Sequence, residues 1–142
     1  MADGLSMIEP DLAALMARVF PQLAALEEPI LHTAGLSMWE YAIISELATR
    51  TAMSQVELSR RTRRDPTRLG HHLDALSSRD VVIRERSTDQ RQHTVRLTPD
   101  GRAVHDRVKR AIRAVEDEFL HAVLSPADAV KLRSLLSRLS AR

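Results

Sequence analysis

The chain contains no cysteine, and that one absence removes disulfides, thiolate metal sites and thiol redox sensing from consideration. Aromatic residues are scarce, with one Trp, one Tyr and two Phe in 142 residues. No run of about 18 apolar residues occurs, and the N-terminus lacks the basic, apolar, small-residue succession of an export signal. A cytoplasmic protein without membrane contact is expected. Nucleophile elbow, phosphate loop and paired-carboxylate signatures are missing, and six scattered histidines give no zinc spacing such as His-Glu-x-x-His. His71 and His72 are adjacent, and adjacent side chains on a helix diverge too far to chelate. The expectation is a protein that is not an enzyme and holds neither metal nor cofactor. What remains is 44% hydrophobic and 28% charged, the balance of an ordinary globular chain, and 142 residues support a single domain.

The formal net charge of +2 conceals an asymmetry. Residues 1–53 hold two arginines against seven acids, residues 54–113 hold fifteen Lys or Arg against eight acids, and residues 114–142 balance at four against four. A basic middle between acidic and neutral ends suggests a surface for a polyanion.

Helix starts are plainly marked. Ser37-Met38-Trp39-Glu40 and Ser54-Gln55-Val56-Glu57 are capping boxes, with Leu36 and Tyr41, then Met53 and Leu58, in the staple positions. Asp65-Pro66, Thr98-Pro99 and Ser125-Pro126 each put an N-cap residue before a proline at the first helical position, where the missing N–H costs nothing. Leu12, Leu15, Met16, Val19, Leu23, Leu26 and Ile30 recur at threes and fours, which implies an earlier helix bent at Pro21. The spacing predicts helices over about 11–32, 38–50, 55–63, 66–79, 99–123 and 126–140. Between the fourth and fifth, Val81-Val82-Ile83-Arg84 and His93-Thr94-Val95-Arg96-Leu97 are short, β-branched and partly alternating, so they read as a hairpin, and Thr51-Ala52-Met53 can add a brief third strand. The fold class is mainly α with a small β-hairpin.

Two short helices joined by a tight turn make a helix-turn-helix, and the hairpin after them makes it winged. On a wheel, Leu69, Leu73 and Leu76 of the second helix share one stripe, leaving Thr67, Arg68, His71, Asp74 and Ser78 on the outer face. Such hydrogen-bonding groups on a helix can read base edges in the major groove of B-DNA.

The stretch 36–101 resembles the MarR family, the multiple-antibiotic-resistance regulators, in Ser54-Gln55-Val56-Glu57-Leu58-Ser59, in Leu73-Asp74-Ala75-Leu76, and above all in Asp89-Gln90-Arg91 followed by Leu97-Thr98-Pro99-Asp100-Gly101. The resemblance implies a winged helix-turn-helix lobe at 36–98 within a single domain of 1–142, with dimerisation helices at 8–32 and 99–142. It implies a homodimer that binds a palindromic double-stranded DNA operator, usually as a repressor. Arg64, Thr67, Arg68, His71 and Arg86 would bind the DNA at the major groove or its phosphates. Arg91 would enter the minor groove, restrained by Asp89. A small amphipathic or phenolic effector would release the DNA, with Met16, Phe20, His32, Trp39, Ile43 and His72 as candidate lining residues. Three departures stand out: Asp80 where a glycine usually ends the reading helix, His71 where arginine is common, and His72 in place of an aliphatic residue. His71 would strengthen DNA binding at lower pH. The rival reading is a winged-helix protein-interaction module without specific DNA binding, whose partner affinity would depend little on salt.

Overall fold

A computed structural model of the chain describes residues 7–86 and 93–142. Its elements run α1 (Leu12–Thr33), α2 (Met38–Leu47), β1 (Met53–Ser54), α3 (Gln55–Thr62), α4 (Pro66–Ser78), β2 (Val82–Arg86), β3 (His93–Leu97), α5 (Pro99–His121) and α6 (Pro126–Ser140). No described helix is long and apolar enough to cross a membrane.

Local chemistry explains most of the boundaries. At α2 both halves of the capping box form: the Glu40 N–H donates to Ser37 Oγ at 3.1 Å and the Ser37 N–H to Glu40 Oε1 at 2.9 Å. At α3 only the first half forms, with the Glu57 N–H on Ser54 Oγ at 3.1 Å. The Glu57 carboxylate instead accepts from Arg60 at 2.6 Å and Arg61 at 2.8 Å. Those guanidiniums hold its carboxyl at about 2, well below the usual carboxylate range. Two neighbouring cations outcompete a single backbone N–H for the same oxygens, which is why the second box is incomplete. Asp65 and Ser125 cap α4 and α6 before Pro66 and Pro126. The bend expected at Pro21 does not divide α1, which continues through both Pro21 and Pro29. Helix α2 stops three residues earlier than the expected 50, where Thr49 Oγ1 donates back to the Glu46 carbonyl at 2.7 Å and competes with further helix.

The chain falls into two compact units, one of residues up to 29 with 112–142 and one of residues 30–111. The second is the winged lobe. Its sheet has the order β1-β3-β2, all antiparallel, with Met53 opposite Val95 and Val82 opposite Leu97. Apolar residues of α2, α3, α4 and the sheet close one core: Ile43, Ile44, Leu47, Leu58, Leu69, Leu73, Leu76, Val82 and Val95 are each less than 2% exposed. His105 is buried beside them, its ring stacked on Tyr41 with centroids 6.1 Å apart.

Two backbone positions join the hairpin to α4. Asp80 takes a left-handed conformation, φ 58°, so the residue standing where glycine is usual does adopt the conformation that glycine serves. Gly101 has a different reason. A Cβ there would collide with the Val81 carbonyl oxygen, because the first turn of α5 lies directly on the backbone that leaves α4. Thr98 completes the joint, its hydroxyl donating to the Asp80 carbonyl at 2.6 Å and accepting from the Gly101 N–H at 2.8 Å.

In the unit of terminal residues, α6 is tied to α5 by Arg133, which donates to Glu116 at 3.1 Å and Asp117 at 2.9 Å. Glu27 of α1 faces Glu116 and is pushed up to about 7 by burial, and then by the hydrogen bond and charge of that second carboxyl. The apolar stripes of these helices remain largely in water in a single chain, including Phe20 at 60% and Leu139 at 54% exposure.

Candidate nucleic-acid interface

The outer face of α4 is laid down by its inner one. Leu69, Leu73 and Leu76 are buried, and this fixes Thr67, Arg68, His71, Asp74 and Ser78 as exposed, the division expected from the helical wheel. The start of the helix is held firmly. Asp65 Oδ1 accepts from the Arg68 N–H at 3.0 Å, while the Arg68 Nε lies 3.4 Å from the other carboxylate oxygen. Hydrogen bonding by Arg68, foremost its backbone N–H, keeps the Asp65 carboxyl below its usual range, so this cap is charged at neutral pH.

Asp74 is committed elsewhere: it pairs with Arg84 of β2 and ties α4 to the hairpin. Arg79, at the end of the same helix, binds Glu40 and the Gly35 carbonyl. Thr67, Arg68 and His71 are the outer-face groups left for a partner. Arg86 is exposed at the end of β2, opposite His93. Asp89 and Arg91 lie outside the described residues.

Arg64 occupies a different place from Arg68. Its guanidinium sits over the indole of Trp39, 3.9 Å from the ring centroid, with Nη2 3.5 Å from His72 Nε2. The Arg64 Nε is buried without a hydrogen-bond partner, and among the described residues no carboxylate comes within ion-pair distance. A buried N–H left unpaired costs about 1–3 kcal/mol. The cation–π contact offsets part of that. The Arg64 backbone is also pinned, its N–H to the Ser59 carbonyl at 3.2 Å and its carbonyl accepting from Ser59 Oγ.

Of the candidate effector residues, Trp39 and His72 therefore form one cluster with Arg64 in the lobe. Ile43 is fully buried in the lobe core, and His32 is exposed. Met16 and Phe20 belong to the other unit, at 49% and 60% exposure. Among the described residues no group of three or more His, Cys, Asp or Glu is placed to hold a metal ion.

Sequence reasoning missed the Arg64–Trp39 contact, the Asp74–Arg84 tie and buried His105. Each joins residues distant in sequence, and nothing in local spacing marks them.

A lobe whose second helix buries three leucines, followed by a β-hairpin, in a chain that also carries long terminal helices, defines a class of architecture, the winged helix-turn-helix fold with terminal helices. No protein-family model and no curated protein matches the sequence. Solved structures do match. A MarR-family transcriptional regulator from Silicibacter pomeroyi is 28% identical, with 89% of this chain and 86% of that one covered and a TM-score of 0.73. Wild-type MarR from E. coli, in its apo form, is 20% identical over 92% of this chain and 98% of that one, TM-score 0.79. NadR in complex with 4-hydroxyphenylacetate is 22% identical over 94% of each chain, TM-score 0.77. The chain has the MarR fold.

Proposed function

We propose that the chain is a homodimeric transcriptional repressor that binds a palindromic double-stranded DNA operator and is released by a small amphipathic or phenolic effector. The observation that carries this reading is the outer face of α4, where Thr67, Arg68 and His71 are exposed on a helix anchored by three buried leucines. A helix so held presents rigid side chains to a major groove, and the basic middle of the chain supplies charge for phosphates. The half-wet apolar stripes of α1 and α6 support a dimer, because a two-fold axis would bury them and set two reading helices about one turn of DNA apart.

For the effector, the Arg64–Trp39 cluster offers an unpaired cation and an aromatic face, suited to a planar anion. The ligand named for NadR, 4-hydroxyphenylacetate, is of that kind. Such a molecule acts only if it prefers a dimer whose reading helices are wrongly spaced, since differential affinity alone shifts the equilibrium.

The test is to select bound genomic fragments, then titrate them with three variants. Arg68→Ala and His71→Ala should cost about 1–3 kcal/mol at preferred sites and relax which sites are chosen, whereas Arg91→Ala should weaken all sites alike and lower the salt slope by about 1. Equal, salt-insensitive binding of selected and random duplexes by the wild type would refute the reading in favour of a protein-interaction module.

A further inference from the structure

At the end of the wing sheet remote from His93 lies a cleft of about 540 Å³ that no step of the operator reading uses. Three arginines from three different elements line it: Arg50 from the segment after α2, Arg96 from β3 and Arg102 from the first turns of α5. No acidic side chain is among the lining residues.

Each guanidinium keeps donors to spare. Arg96 uses Nε and Nη2 on Glu85, at 3.3 and 3.0 Å, which fixes its plane and leaves Nη1 uncommitted. Arg102 reaches the Ala48 carbonyl only through Nη1, at a long 3.4 Å, and Asp106 feels its charge from beyond ion-pair distance. The Arg50 side chain is exposed and makes no hydrogen bond or ion pair among the described residues. No described carboxylate pairs with Arg50 or Arg102, while Arg96 is held in place by its own counter-ion. Guanidiniums present planar, forked donors that suit carboxylate and phosphate oxygens, and several converging on one concavity raise the local potential for anions.

The cleft is not part of the proposed groove-reading surface. A smaller cavity joins Ser54, Pro66, Leu69 and His93, so the start of the reading helix lies at the His93 end of β3. The arginine cleft lies at the Leu97 end, four residues along, about 13 Å at the rise of a β-strand.

We infer that Arg50, Arg96 and Arg102 form a binding site for a small multivalent oxyanion, separate from the DNA-reading surface. Three donors from separate elements match an ion carrying two or more charges on closely spaced oxygens. A monovalent ion could engage only part of the set.

Isothermal titration of the full chain at low salt, with pyrophosphate and separately with citrate, tests this. Saturable binding of at least one probe is expected, and the preferred probe tells whether phosphate or carboxylate oxygens suit the cleft. Arg50→Ala, at a position whose side chain has no polar contact among the described residues, should weaken that binding at least tenfold. Arg50→Lys should weaken it less, and Arg50→Ala/Arg102→Ala should abolish it. Binding of selected DNA by Arg50→Ala should be unchanged. Absence of saturable binding by both probes, or equal affinity in wild type and Arg50→Ala, overturns the inference. So does loss of DNA affinity in Arg50→Ala with pyrophosphate and citrate binding intact, since the arginines would then serve DNA phosphates.

Discussion

The winged lobe and the terminal helices bury their apolar residues to very different degrees. In residues 30–111, nine large aliphatic side chains are less than 2% exposed, and helices and sheet interlock around them. In the other unit only Ile112 and Ala129 are buried hydrophobics among the described residues, while Leu135, Leu136 and Leu139 stay 44%, 42% and 54% exposed. Both regions carry regular helical stripes, so the difference is not one of pattern. The lobe has enough elements to cover its own stripe, whereas a single copy of the terminal helices leaves its stripe in water, as an incomplete interface does.

Three substitutions and one control probe that contrast, in falling order of effect. Leu73→Ala removes a fully buried side chain from the lobe and should cost about 2–5 kcal/mol in denaturant unfolding. That loss should not depend on protein concentration, because the cavity lies within one chain. Gly101→Ala should cost about 1–3 kcal/mol, since the new methyl meets the Val81 carbonyl, a backbone atom that cannot step aside. Gly70→Ala is its control: a Cβ there meets nothing within 4 Å, so the same change in α4 should stabilise by about 0.5–1 kcal/mol. Leu136→Ala should leave lobe unfolding alone and weaken self-association instead. With about 1 kcal/mol lost per copy, sedimentation equilibrium should show a dimer Kd raised roughly thirty-fold. Concentration-dependent loss of stability in Leu73→Ala, or unchanged association in Leu136→Ala, would erase the distinction between the two regions.

How much of this could be read in the sequence depended on range. Caps are local chemistry, and Ser37, Asp65, Thr98 and Ser125 were legible because a side-chain oxygen, a proline or an acid sits within three residues. The two faces of α4 were legible too, since three leucines at threes and fours fix the orientation of everything between them. Glu57 shows where local reasoning fails: the right residue stands at the right spacing, but Arg60 and Arg61 claim its carboxylate. The cluster of Arg64, Trp39 and His72 was beyond reach. In the sequence, an arginine just before the second helix of the motif reads as a phosphate contact, and only the tertiary fold brings an indole 25 positions earlier beneath it. The arginine cleft was hidden for the same reason, as Arg50, Arg96 and Arg102 meet only once the sheet forms.

The last effect concerns the carboxyl group that α1 turns toward α5. Glu27, half-buried, is pushed up to about 7 from an ordinary 4.5, with Glu116 opposite it and Arg133 holding Glu116 and Asp117 from α6. Between those two values the folded chain keeps a proton that the unfolded chain has released, so folding binds protons and stability falls as pH rises through the window. The effect is complete just above 7 and absent below 4.5. Glu27→Gln retains a donor toward Glu116 and cannot ionise, which removes the pH-dependent part. The variant should therefore be more stable than wild type at pH 8, by about 1 kcal/mol once solvent screening of a half-exposed group is allowed for, and the two should converge at pH 4 to 5. Thermal melts of both proteins across that range check it; parallel curves would mean that Glu27 titrates as an ordinary surface acid and that Arg133 alone sets the charge balance of the terminal helices.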